Sequence, residues 1–136
     1  MSKNRYFLDA NILISGIVWN GNERKLLMLG ENRKRTLISS MYVFREVQDV
    51  FEEFGFTPQK IAESLVYLRS FIDLVDADED DVKKCWELLD DKGDVPVLAA
   101  AIKSQSILVS GDGPLRKKAR NHLKVMTTRE VLDSLL

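Results

Sequence analysis

Tyr6-Phe7-Leu8-Asp9 decides the fold: three apolar residues end abruptly on a carboxylate. A run this short, with no polar alternation, reads as a strand covered on both faces, the pattern of a parallel sheet. The same pattern returns in Thr36-Leu37-Ile38 before Ser39-Ser40, and in Ile107-Leu108-Val109 before Ser110-Gly111-Asp112. Lys124-Val125-Met126 is a fourth candidate strand. Between these runs, apolar residues recur at helical spacing. They are Val43, Val47, Val50, Phe51 and Phe54, then Ile61, Leu65, Leu68 and Ile72, then Val97, Leu98, Ala101 and Ile102. Thr127 or Thr128 starts a last helix that runs to Leu136. The acidic stretch Asp73 to Asp94 reads as a loop feeding an exposed helix, with Val82, Cys85, Trp86, Leu88 and Leu89 as its apolar face. Strands alternating with helices predict an α/β fold around a covered parallel sheet.

The composition sets the bounds of this reading. A chain of 136 residues suits one domain spanning residues 1–136. Hydrophobic residues make up 45% and charged residues 30%, which argues against disorder, collagen or coiled coil as the main state. The lone Cys85 rules out an internal disulfide and is expected to pack on a helix face. The lone His122 rules out zinc sites built on several histidines or on Cys/His clusters. A net charge of −1 gives no global footprint for nucleic acid. No apolar run approaches the ~20 residues of a membrane span. Met1-Ser2-Lys3-Asn4-Arg5-Tyr6 leads straight into the first strand, so the expectation is a cytoplasmic protein without contact to a membrane.

The chemistry lies in the carboxylates. In an open parallel sheet, ligands bind beyond the carboxyl ends of the strands. If the strands ending at Asp9 and near Asp112 are neighbours, these two acids converge, and a cation must offset their repulsion. The plainer reading makes each a cap for the next helix. Glu46 lies on the shoulder of the Val43–Val47–Val50–Phe54 stripe, so it is the acid of that helix placed to face inward; the alternative is a solvated flank. Asp94 precedes Pro96 and the small-residue run Val97 to Ile102, and is expected to act as an N-cap that presents its carboxylate at the helix start. Oxygen donors of this kind suit magnesium or manganese. Asn11 adds an amide, and Ser15 and Ser110 add hydroxyls near the same strand ends. Arg116, Lys117 and Arg120 follow Asp112 closely; they are candidates for phosphate contact or a solvated helix face. Trp19 and Trp86 are expected in the core or an interface.

Phe7-Leu8-Asp9-Ala10-Asn11-Ile12-Leu13-Ile14-Ser15 resembles the opening motif of the PIN-domain nucleases, an apolar strand running into Asp-x-Asn. Glu46 falls where that family places its second acid. Asp94-Val95-Pro96-Val97-Leu98-Ala99-Ala100-Ala101 resembles the third motif, and Leu108-Val109-Ser110-Gly111-Asp112 the fourth. The resemblance runs from about Arg5 to Thr128, with its nearest branch the small PIN proteins regarded as toxins of toxin–antitoxin pairs. Two departures stand out. Val95 replaces an Asn that many relatives of this branch carry, and Ser110 replaces a Thr while keeping its hydroxyl.

The resemblance implies a three-layer fold, with a parallel sheet of about five strands between helices. It implies that Asp9, Glu46, Asp94 and Asp112 bind Mg2+ or Mn2+ as the catalytic cluster, with Asn11, Ser110 and Ser15 as supporting residues. It further implies RNA hydrolysis, a small antitoxin partner and a homodimer. Two other classes compete. A haloacid-dehalogenase-like phosphatase also uses a first-strand Asp and a late Gly-Asp, yet it needs a second acid where this chain has Asn11. A non-catalytic PIN-like module would use the acids only for metal or partner binding.

Overall fold

A computed structural model describes residues 5–135. Met1–Asn4, part of the opening stretch, and Leu136, the expected helix end, lie outside the described residues. The sheet contains β1 (Arg5–Leu8), β2 (Thr36–Ser39), β3 (Ile72–Leu74), β4 (Ile107–Val109) and β5 (Val125–Met126). The strand order is β3-β2-β1-β4-β5, and every pairing is parallel. Successive strand residues point to opposite faces. Phe7 and Leu8 are both 0% exposed, so helices cover the central strand from both sides, giving the expected three layers.

The helices are α1 (Ala10–Val18), α2 (Asn22–Glu31), α3 (Met41–Glu53), α4 (Pro58–Arg69), α5 (Glu79–Cys85), α6 (Val95–Lys103), α7 (Gly113–Ala119) and α8 (Thr128–Asp133). Two 3-10 turns, Trp86–Leu88 and Lys92–Asp94, join α5 to α6. The approach of α1 to α2 depends on a glycine: a Cβ on Gly16 of α1 would run into the Leu27 side chain of α2. Helix α3 stops at Gly55, whose φ of +81° suits a residue without Cβ. There the Gly55 N–H donates to the Glu52 carbonyl and the Phe56 N–H to the Phe51 carbonyl, each at 3.0 Å. This is the 6→1 and 5→2 pattern of a Schellman ending, and the Phe51 and Phe56 rings stack across it at 4.6 Å.

Three expectations need correction. Ile72 does not continue the α4 stripe but begins β3, which pairs Leu37 with Ile72 and Ser39 with Leu74. Phe54 is the C-cap of α3 and lies exposed, not on its buried face. Trp19 and Trp86 are exposed, which rules out the core of the two places expected for them. Cys85 is buried as expected. No described helix is long and apolar enough to cross a membrane.

The strand order creates one decisive location. From β1 the chain steps outward to β2 and β3, then crosses to the other side of β1 for β4 and β5. The connections from β1 and β4 therefore leave in opposite directions, and a crevice opens between their carboxyl ends. Leu8 pairs with Val109 in register, so the residues that follow each strand emerge side by side.

Candidate functional site

Asp9 is the first residue beyond β1. Its N–H still donates to the Val109 carbonyl at 3.4 Å, extending the ladder by one step. Its carboxylate caps α1, with Oδ1 accepting from the Ile12 N–H at 3.0 Å. Asp9 is 7% exposed. Burial pushes its carboxyl above the usual range, the Ser110 hydroxyl and Ile12 N–H hold it back, and the Asp112 charge adds to the rise.

The β4 end mirrors this arrangement. Ser110 is fully buried, and its hydroxyl accepts from the Asp112 N–H at 3.0 Å. Asp112 caps α7 through Oδ1, which accepts from the Leu115 N–H at 3.1 Å. For Asp9 and Asp112, capping and convergence thus hold together and are not alternatives. One oxygen of each carboxylate serves the helix, and a carboxylate has two.

Glu46 arrives from the β2 side. The Ser39 hydroxyl donates to the Leu8 carbonyl at 3.0 Å, sewing β2 to the end of β1. Ser40 then caps α3, accepting from the Val43 N–H at 3.1 Å. Asp76 reinforces this start by accepting from the Met41 and Tyr42 N–H groups at 2.9 and 3.2 Å. Val43, Val47 and Phe51 fill the buried face of α3. Glu46 sits beside that face and lines the cleft, though it is largely exposed. Partial loss of hydration lifts its carboxyl, as do the charges of Asp94, Asp9, Asp49 and Asp91.

Asp94 departs from expectation. It precedes α6, yet its backbone is already helical and its side chain makes no capping hydrogen bond. The 3-10 turn runs directly into α6, so the carboxylate cannot fold back as a cap. It lines the cleft instead. Burial, then the charges of Asp91, Asp112 and Asp9, push its pKa up to about 6. The Tyr42 hydroxyl donates to the Gly93 carbonyl at 2.7 Å and so ties α3 to this turn. Sequence alone did not single out Tyr42. Its phenol is pushed up by burial and by the charges of Glu46, Asp94 and Asp91.

Asp9, Glu46, Asp94 and Asp112 thus line one cleft of about 70 Å³ with Asn11, Ala10, Val97 and Leu115. Among the described residues none of these acids forms an ion pair; the salt bridges link Lys83 to Glu79, Lys103 to Asp78 and Asp81, and Lys118 to Asp90. A cleft this small holds an ion with a few waters, not an organic molecule. The oxygen donors are those a hard divalent cation takes. Among the described residues, however, no three of His, Cys, Asp or Glu stand close enough to grip one ion directly. The donor set fits such a cation by chemistry, with waters completing the shell.

The other predicted residues divide. Asn11 lines the cleft, whereas Ser15 does not. Arg116 turns inward, its Nη1 donating to the Ser110 carbonyl at 3.2 Å. Lys117 lines a wider groove of about 520 Å³ that shares Asp94 and Leu115 with the cleft. Arg120 lines neither.

Residues 5–113 match the family described as PIN domain. Curated proteins give no match. Among solved structures, a chain of VapBC2 from Rickettsia felis, bound to a DNA fragment from their promoter, is similar with a TM-score of 0.72 and 18% identity. The match covers 90% of this chain and 98% of that one. A chain of FitAB bound to an IR36 DNA fragment is similar with a TM-score of 0.65 and 15% identity, covering 90% of this chain and 94% of that one. Likeness at such identity speaks for the fold, while the family rests on the sequence match over residues 5–113: the chain belongs to the PIN domain family.

Proposed function

We propose that this chain is a metal-dependent endoribonuclease that hydrolyses RNA phosphodiester bonds in the acidic cleft, and that it is the toxin of a toxin–antitoxin pair. One observation carries the reading: Asp9, Glu46, Asp94 and Asp112, far apart in sequence, line one small cleft, and among the described residues no cationic side chain pairs with any of them. Burial first, and the neighbouring carboxylates after it, push the carboxyl groups of Asp9, Glu46 and Asp94 up. A nuclease family and a nuclease-type acid set agree.

In this reading the four acids bind Mg2+ or Mn2+. Bound there, the ion supplies Lewis-acid stabilisation of the phosphate and of the leaving oxygen. The chain's own residues do the remainder. Asp9 and Asp112 are rigid, each clamped by a backbone N–H, and hold the inner edge of the cleft. Glu46 and Asp94 close it from α3 and the 3-10 turn. With a pKa of about 6, Asp94 is ionised at neutral pH and ready to take a cation. Asn11 offers its amide to water or phosphate at the rim. Ser110 fixes Asp112 and acts on Asp9, which makes it a positioning residue.

Likeness to chains of VapBC2 and FitAB supports a small antitoxin as partner. A homodimer is the proposed assembly, for which Val66, 70% exposed on α4, and Trp19, 65% exposed after α1, offer apolar surface. The test is cleavage of single-stranded RNA with manganese, with and without chelator, by wild type and Asp9→Asn. Cleavage that needs the ion and is lost in the variant supports the reading; equal cleavage by Asp9→Asn removes it.

A further inference from the structure

The groove beside the acidic cleft has a different character. Its volume of about 520 Å³ falls in the range of roughly 300–1,000 Å³ common for small-molecule sites. Leu89, Pro114 and Leu115 give it apolar lining. Asp90, Asp91 and Asp94, and Lys117 and Lys118 of α7, line it with charge. Lys118 pairs with Asp90 at 3.6 Å. Lys117 forms no ion pair among the described residues. Because Asp94 and Leu115 line both spaces, the groove lies next to the cleft.

We propose that this groove seats one nucleoside of single-stranded RNA, adjacent to the phosphate held in the acidic cleft, with Lys117 contacting the next phosphate along the strand. The proposal rests on the nuclease reading for its substrate class, but not for its test. The aspartates of the lining repel phosphate, so the flat apolar face of a base, not the backbone, meets Leu89, Pro114 and Leu115. Their side chains give such a face van der Waals contact without hydrogen-bond demands. A base stacked within a duplex cannot enter a side groove, which selects single strands. Lys117 is left as the cation for the departing backbone.

The experiment uses the full chain with calcium, a diamagnetic divalent ion that takes oxygen ligands, with hexa-adenylate as the probe and leucine and isoleucine methyl groups observed by NMR. Titration is expected to shift the Leu89 and Leu115 methyls and leave Ile61 and Leu65, in the separate groove between α3 and α4, unmoved. Lys117→Ala is expected to weaken binding about tenfold and to lower the slope of log affinity against log salt by about 1, which a purely structural role does not change. Silent Leu89 and Leu115 methyls, no detectable binding, or an unchanged salt slope overturns the proposal. Manganese-dependent cleavage with silent groove methyls condemns the groove alone. Shifted groove methyls without cleavage condemn the nuclease reading and leave the groove standing.

Discussion

The two halves of the acidic cleft are built differently. Asp9 and Asp112 follow strands, and each carboxylate is gripped by a backbone N–H three residues ahead. Glu46 and Asp94 sit on a helix and a 3-10 turn, and neither carboxylate accepts a hydrogen bond in capping. The first pair belongs to the fold as well as to the cleft. Burial lifts the carboxyl of Asp9 as well, but there the cap offsets part of the cost; Glu46 and Asp94 have no cap, and burial with mutual repulsion makes their charges costly. Acids that strengthen a helix end are what folding alone would retain. Acids that weaken the free protein point to a ligand that offsets the cost.

The sharpest way to break this contrast is activity. Asp9→Asn and Asp94→Asn are each expected to slow RNA cleavage by about a thousandfold, roughly 4 kcal/mol of barrier, although they stand in different halves. Initial rates with manganese check this, and a large loss at only one of the two would split the cleft.

Stability separates the halves next. The folded pKa of Asp94, about 6, lies above its ordinary 3.8. Between those values the folded chain binds more protons than the unfolded one, so stability falls as pH rises through that window. Above it, Asp94→Asn is expected to stabilise the metal-free protein by about 1 kcal/mol, once solvent screening of this half-exposed group is allowed for. Thermal melts in EDTA at pH 7.5 and pH 4 test this: the gain is present at the higher pH and shrinks at the lower.

Comparing Asn with Ala refines the point. Asn retains a capping oxygen and Ala does not. Asp9→Ala and Asp112→Ala are expected to be about 1 kcal/mol less stable than the Asn variants. At Asp94 the two replacements are expected to agree within about 0.5 kcal/mol, because no cap is lost. Urea unfolding of the six variants measures it. The smallest effect is expected for Tyr42→Phe, about 0.5 kcal/mol, since it deletes one partly exposed hydrogen bond between α3 and the Asp94 turn.

The strand-borne half was the more legible in sequence. Tyr6-Phe7-Leu8-Asp9 and Ile107-Leu108-Val109 announce buried strands because both faces are apolar, and the acids follow at once. Strand β3 was hidden: Ile72-Asp73-Leu74 is three residues long, and Ile72 falls four positions after Leu68, in phase with the preceding helix. Asp94 was legible as an acid of the cleft but not in its local role. Nothing in its spacing reveals that a 3-10 turn precedes α6 and frees the carboxylate from capping. Tyr42 could not be found from spacing, since its partner Gly93 lies 51 positions away. Arg116 looked like its basic neighbours, and only the fold shows it directed at the Ser110 carbonyl.

Calorimetric titration of the full chain with manganese tests the convergence of the acids most directly, with Asp9→Asn and Asp94→Asn beside wild type. Heat of binding in wild type that both variants lose is the expected result. Undiminished binding in either variant would contradict the account.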